Sequence, residues 1–384
     1  MRLIHTADIH LDASFAVAGA PAGFGNRRRQ SLRDVFRSIV RRAGEWPADA
    51  LLIAGDLFEL DRVSRDTLSL LNVEFASIPH VRVFIAPGNH DPYVPHSPYA
   101  AEVWPENVVI FSNPAWTLYP LPNVPLTVHG FGFDGPDLTV NPFGQLQIPP
   151  DGRVHVAVAH GSERGHQPPD KAAYAPFDAP QAAPDGLAYL ALGHFHSLTR
   201  IEGDFRTAIY YSGAPEGHSF GEPGPRQYLE VELESGQVSV KPVESSRAVY
   251  ETHTLDCTDF STAQQIVDAI RAWPKQNAAA RIVRLALQGL CAPAIRAQLE
   301  SVRDAIAAEF EYFELVDQTE STEDYALLAR ENTSFGAFLY RMNEAIGAVA
   351  EEDRRRLLWR AREIGAAAYR GTALPIRGLE RGAP

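Results

Sequence analysis

The stretch VRVFIAPGNHD at residues 81–91 runs from a β-branched, apolar segment directly into Gly88-Asn89-His90-Asp91. A continuous apolar run of this length suits a strand covered on both faces, and Gly-Asn supplies turn chemistry at its end. The arrangement recurs on either side. Toward the N-terminus, Ala50–Ala54 ends in Gly55-Asp56, and Leu3–Thr6 is followed by Asp8-Ile9-His10. Toward the C-terminus, Val154–Ala159 ends in His160-Gly161, and Leu187–Leu192 ends in Gly193-His194-Phe195-His196. Taken singly, each is weak: Asp-x-His is usually a cap or turn, Gly-Asp is commonplace, and a lone strand-end His is usually a satisfied polar group. In series they aim Asp, Asn and His from five strand ends into one crevice, where open α/β sheets place their sites.

Periodicity fills in the rest of an α/β protein. The i, i+3, i+4 recurrence of Leu32, Val35, Phe36, Ile39, Val40 and Ala43 predicts a helix over 27–45, and Leu68, Leu71 and Phe75 one over 63–76. Further strands are expected at 108–111, 126–131, 208–211, 227–233 and 238–243, the last two joined by a Glu234-Ser235-Gly236 hairpin turn. Pro, Gly, Asp and Ala dominate 136–152 and 167–186, which read as loops. Beyond Val243 the pattern becomes a compact β-α-β-α-β unit: strands at 250–255, 281–287 and 312–316, helices at 262–273 and 293–308. Residues 334–369 are helical, with Phe335, Phe338, Leu339, Met342 and Ile346 on one face. The expected domains are therefore 1–245, 246–320 as a smaller accessory domain, and 321–384 as a helical C-terminal segment.

Composition excludes several classes. With 384 residues, 45% hydrophobic and 22% charged, wholesale disorder is ruled out. No apolar run approaches the ~18 residues of a transmembrane helix, and the N-terminus lacks the apolar core of a secretory signal. Cys257 and Cys291 alone make neither a disulfide framework nor a zinc site. A cytoplasmic location, away from membranes, is the expectation. The net charge of −13 argues against coating nucleic acid by overall charge. Positive charge is nearly all Arg, clustered at 27–29, 41–42 and 354–356, where guanidinium forks suit a phosphate backbone.

The number of candidate donors supports two metal ions rather than one. Asp, His and Asn without nearby Cys suit manganese, iron or zinc, and Asp56 at its Gly-Asp strand end is the natural bridge between two ions. Such a pair activates water and neutralises charge growing on phosphate oxygens.

The order Asp-x-His, Gly-Asp, Gly-Asn-His-Asp, His, Gly-His-x-His resembles the calcineurin-like metallophosphoesterase superfamily. Within it, the chain is most similar to DNA-repair nuclease subunits of the SbcD/YhaO type. The stretches that carry this are HTADIHLDASF at 5–15, LLIAGDLFE at 51–59, APGNHDPY at 86–93, VAVAHGSE at 156–163, ALGHFHS at 191–197 and YYSGAPEGHSFGE at 210–222. The resemblance covers residues 1–245 and implies a metallophosphoesterase β-sandwich flanked by helices. It implies that Asp8, His10 and His196 hold one metal and Asn89, His160 and His194 the other, with Asp56 shared. His90 would face the scissile phosphate and protonate the leaving oxygen, and Asp91 would orient His90 from behind. It further implies two divalent ions, manganese first with iron or zinc as alternatives. The implied activity is metal-dependent DNA nuclease hydrolysis in DNA repair, exonucleolytic or endonucleolytic. The implied partners are DNA, an SbcC-like coiled-coil ATPase and a second copy of the chain, with the 321–384 segment either docking a partner or packing on the core. One departure stands out: Glu59 occupies a position where many nuclease relatives carry His, and is read as a solvated loop residue. His166 and His218 are read as solvated loop histidines and Asp12 as a turn residue. Another phosphoesterase of the superfamily, or a non-catalytic scaffold, is the competing reading; intact donors weigh against the scaffold.

Overall fold

The computed structural model describes residues 1–17, 19–167, 172–274 and 280–371. They form two compact units, Met1–Val249 and the chain from Tyr250 onward.

The first unit is built on two six-stranded sheets. One contains β1 (Arg2–Thr6), β2 (Ala50–Ile53), β3 (Arg82–Ile85) and β4 (Val108–Ile110), which run parallel. The other contains β5 (Thr117–Pro120), β6 (Leu126–Gly130), β7 (Val154–His160), β8 (Leu187–Gly193), β9 (Thr199–Ile201) and β10 (Ala208–Tyr211). The chain then returns to the first sheet as the hairpin β11 (Gln227–Glu234) and β12 (Gln237–Glu244), with β11 antiparallel to β1. The orders are β12-β11-β1-β2-β3-β4 and β5-β6-β7-β8-β10-β9. Ser235 and Gly236 both have positive φ, 51° and 77°, as a two-residue type I′ hairpin requires.

The sheets face each other across one apolar core. Leu3, Leu52, Ala54 and Phe84 from the first meet Val128, Val156, Val158 and Tyr189 from the second. These strands are apolar on both faces because each sheet is also covered outside. On the first, α1 (Phe24–Glu45) turns Leu32, Val35, Phe36, Ile39 and Val40 inward, and α2 (Arg65–Ala76) packs beside it. Ser64 caps α2 by accepting the Thr67 N–H. On the second, Phe143 and Ala182 from two short 3-10 turns, with Leu146 and Phe177, cover Ala157, Leu190 and Ile209; a short helix α3 (Pro98–Ala101) follows β3.

Arg28 does not face solvent as part of a basic run. It is buried, with its guanidinium 2.7 Å from Glu216, over the Phe15 ring. Arg27 donates to the Ala22 carbonyl and Arg29 to Asn26. The helix phase of α1 decides this, since Arg28 shares the inward face with Leu32, Val35 and Phe36.

In the second unit, β13 (Ala248–Asp256), β14 (Ala280–Gln288) and β16 (Tyr312–Asp317) form a sheet of order β13-β14-β16, and a two-residue pair joins β15 (Leu290–Cys291) to β17 (Glu320–Ser321). Helix α4 (Ala263–Arg271) and helix α6 (Leu299–Ala307) cover the sheet. The helix expected over 293–308 is two pieces, α5 (Pro293–Arg296) and α6, parted at Ala297-Gln298. Farther on lie α7 (Tyr325–Leu328), α8 (Ser334–Gly347) and α9 (Glu352–Tyr369). Buried charges tie α9 to this unit: Arg296 meets Glu363, and its guanidinium lies 3.2 Å from Asp317, which Arg360 approaches to 3.5 Å. No helix among the described residues is long and apolar enough to cross a membrane.

Candidate metal centre

The C-terminal ends of β1, β2, β3, β7 and β8 converge at one edge of the sandwich. Asp8 and His10 follow β1, Asp56 follows β2, and Asn89, His90 and Asp91 follow β3; His160 ends β7, and His194 and His196 follow β8. The sheets approach so closely there that a Cβ on Gly193 would collide with the Ala54 carbonyl oxygen. The turns are unusual in backbone as well as in side chain. Asp8, His10, Asp56 and His194 all have positive φ, from 49° to 113°. Non-glycine residues hold such conformations only where surrounding structure enforces them, and they concentrate at functional sites. Here the enforcement is a hydrogen-bond lattice: Asp8 N–H on Gly55 O, His10 N–H on Asp56 O, and His194 N–H on both Asp8 carboxylate oxygens at 2.9 and 3.1 Å.

Among the described residues, four sets of donors lie within 4.8 Å of one another: Asp8, His10 and His196; His10, Asp56 and His90; Asp8, Asp56 and His160; and, at the rim, His196, His218 and Glu222. Asn89 joins the third, its Oδ1 3.0 Å from His160 Nε2. His194 stands beside it, with its ring 5.3 Å from that of His160. Asp56 belongs to two sets and so lies between His10 and His160, 3.8 and 3.4 Å from their Nε2 atoms.

Hydrogen bonds behind the rings fix their tautomers. His10 donates Nδ1–H to Glu59 at 2.8 Å, His196 to Glu222 at 2.7 Å, and His160 to the Ala54 carbonyl at 2.9 Å. With Nδ1 engaged behind it, each ring turns Nε2 toward the cluster. Nε2 of His10 and Nε2 of His196 face each other at 3.3 Å, and Nε2 of His160 faces the oxygens of Asn89 and Asp56. A cation placed there would find these atoms within coordinating reach of one another.

Charge tells the same story. Burial first, and then the Asp56 charge, push the Asp8 carboxyl well above its ordinary value. Burial acts on Asp56 too, but the His160, His10 and His90 imidazoles outweigh it and hold that carboxyl down. Asp91 is raised to about 6 by burial and Asp56. Burial lowers His10 to about 4 and His194 to about 3. Buried carboxyls pressed against imidazoles and an amide oxygen, without a thiol, are a donor set for a divalent ion of the manganese, iron or zinc class. The residues present fit such an ion.

Two sequence-based roles need correcting. Asp91 does not orient His90. Its oxygens accept the N–H groups of Asp56, Leu57 and Gly88 at 3.0, 2.7 and 2.7 Å and the Tyr99 hydroxyl at 2.7 Å. It is fully buried beneath the site and pins the Gly-Asp turn to the Gly-Asn-His-Asp turn. The carboxylate on His90 is Glu59, whose Oε2 lies 3.0 Å from His90 Nδ1. Glu59 is thus no solvated loop residue: its two oxygens serve His10 and His90, and the two imidazoles hold its carboxyl well below the usual range against the opposing effect of burial. His218, expected as a solvated loop histidine, and Glu222 also belong to the site. The resemblance marks the segment 210–222 that carries them, but spacing gave neither residue a role, because they lie beyond β10, far from any strand end that bears a donor. Asp12 is a turn residue at φ 65°, accepting from Arg33 and the Ser64 N–H. His166 pairs with Glu163 at 2.7 Å.

The sequence profile described as calcineurin-like phosphoesterase matches residues 1–198. The uncharacterized metallophosphoesterase YhaO of Bacillus subtilis (strain 168) is 26% identical over 301 residues, covering 75% of this chain and 72% of its own length. The DNA double-strand break repair protein Mre11 of Methanopyrus kandleri is 25% identical over 263 residues, covering 62% of this chain. Those residues are 51% of the Mre11 protein, so the chain spans about half of it. Among solved structures, a dimetal phosphatase from Danio rerio is similar at a TM-score of 0.37 and 10% identity, over 64% of this chain and 96% of its own.

Proposed function

This chain belongs to the calcineurin-like phosphoesterases, and on that footing we propose that it is a two-metal phosphodiesterase that cleaves DNA. One observation carries the catalytic part. His90 stands at the mouth of the buried donor cluster, its side chain 44% exposed where His160 is 0% and His10 6%. Asp8, His10 and His196 would hold one ion, Asn89, His160 and His194 the other, and Asp56 both. Bound manganese, or iron or zinc in its place, supplies an activated water and neutralises charge on the phosphate.

The chain's own groups do the rest. Glu59 occupies His90 Nδ1, so Nε2 is the nitrogen that serves the substrate. The hydrogen bond to Glu59, against burial, raises His90 to about 9, which keeps a proton available for the leaving oxygen at neutral pH. The substrate class rests on the likeness to the Mre11 repair protein, and we extend it to an SbcC-like coiled-coil ATPase as partner. A second reading, hydrolysis of a small phosphodiester, is favoured by the burial of Arg28, which removes a cation from the expected DNA-gripping run.

The deciding experiment gives the full chain Mn²⁺ and either linear duplex DNA or bis(p-nitrophenyl) phosphate. Degradation of both, lost in His90→Gln with metal content unchanged, supports the nuclease. Hydrolysis of the small diester alone selects the second reading. Metal lost in His90→Gln would overturn the division of roles.

A further inference from the structure

Glu222 lies between two imidazoles. Its Oε1 accepts from His196 Nδ1 at 2.7 Å, and its Oε2 from His218 Nδ1 at 3.2 Å and the His218 backbone N–H at 2.9 Å. The segment that carries it is a tight turn, with Glu222 N–H on Ser219 O. That turn is fastened across to the turn after β1. His218 Nε2 lies 3.3 Å from the Ile9 carbonyl oxygen, and the His218 ring stacks on Phe15 with planes within 8° and stands edge-on to His10 at 5.3 Å. Arg226, buried behind the turn, donates to the His196 carbonyl at 2.8 Å. His196 is therefore gripped twice, at its ring by Glu222 and at its main chain by Arg226.

His196 is the candidate donor that most needs a grip. It sits three residues past the end of β8, in a loop, with its side chain 32% exposed against 6% for His10. A ring placed like this samples several rotamers and both neutral tautomers. Only the Nδ1–H tautomer turns a lone pair from Nε2 toward His10. We propose that Glu222, steadied by His218, is a positioning residue that fixes the rotamer and tautomer of His196 and so sets the affinity of the ion shared with Asp8 and His10. The proposal rests on the two-metal reading above.

The test uses the full chain stripped of metal and titrated with Mn²⁺ in a calorimeter, with Glu222→Ala and Glu222→Gln alongside. Removing a carboxylate behind a ligating imidazole typically lowers metal affinity ~10–100-fold. Glu222→Ala should weaken one of two sites by that factor and leave the other within about twofold. Glu222→Gln keeps an oxygen that accepts Nδ1–H, and should recover most of the loss. Nitrogen NMR of metal-free protein should show His196 as one tautomer in the parent and Glu222→Gln, and as a mixture in Glu222→Ala. Equal weakening of both sites, no weakening, or an unchanged tautomer in Glu222→Ala would overturn the proposal. A third Mn²⁺ lost in Glu222→Ala would also overturn it, because Glu222 would then be a ligand. A parent that takes up no divalent ion overturns the two-metal reading itself, which shows before any variant is compared. Binding that behaves as expected in a chain inert toward DNA removes the nuclease reading and leaves this one standing.

Discussion

Glu59 spends one carboxylate on two rings of different duty. Under the proposed mechanism, His10 would need its Nδ1 proton held so that Nε2 faces an ion, and His90 would need its own proton kept available near neutrality. A carboxylate with one oxygen on each ring does both. In Glu59→Gln the amide oxygen can still accept from one imidazole, but the negative charge is gone. Since Glu59 is the largest influence raising His90, its loss lowers the His90 value. A group that works protonated then loses its proton at lower pH, so the alkaline limb of the kcat profile should move to lower pH, with metal affinity falling about tenfold or less. A profile that keeps its alkaline limb would show that His90 is not the acid. Asp91 makes the complementary point. Residue type and spacing place a carboxylate beside His90 in the chain, but backbone direction decides what it touches, and Asp91 points down into three N–H groups and Tyr99.

At the scale of elements, the donor-bearing strands were legible because each is a continuous apolar run ended by glycine or a polar cluster. The strands missed in the first unit, Thr117–Pro120 and Thr199–Ile201, are the two edges of the second sheet. An edge strand needs neither length nor apolar faces, and Pro120 is tolerated because half of its ladder is empty. The expected helix over 27–45 begins at Phe24, where Gly23 in left-handed backbone, φ 78°, replaces a side-chain cap. The strands also carry a buried polar link that periodicity treats as noise. His5 on β1 accepts from the Tyr189 hydroxyl on β8 at 2.8 Å and lies 3.1 Å from the Leu192 carbonyl. Burial drives its value to about 3, and His129 on β6 to about 4. Groups depressed below their unfolded value of ~6.5 stabilise the fold fully above that pH. The contribution is lost as pH falls from ~6.5 toward 4 and 3, where the unfolded chain binds protons the native one refuses. Urea midpoints of the metal-free chain should therefore drop steeply across that window, by up to ~1.4 kcal/mol per pH unit for each such histidine. His5→Phe should flatten the slope, whatever it does to stability at pH 7.

For the whole molecule, the C-terminal helices are bound into the second unit by charge. Arg296, Asp317 and Glu363 are each less than 7% exposed, and Tyr325 donates to Glu363 at 3.2 Å. Glu363→Ala strips Arg296 of one anion in a buried place, a loss of ~3–5 kcal/mol. It should lower the thermal transition of the second unit while Mn²⁺ uptake stays unchanged, because every candidate donor lies within Met1–Val249. Loss of Mn²⁺ uptake in a folded Glu363→Ala protein would refute that independence. The donor turns of the first unit have a different meaning. Asp8, His10, Asp56 and His194 hold left-handed backbone at a cost of order 1–3 kcal/mol each, in positions where glycine would sit without strain and without chemistry. Selection for stability and selection for activity therefore pull these codons in opposite directions. A lineage released from its catalytic task would be free to drift toward an easier backbone at the donor turns first, so the turns are also where loss of function would leave its earliest trace.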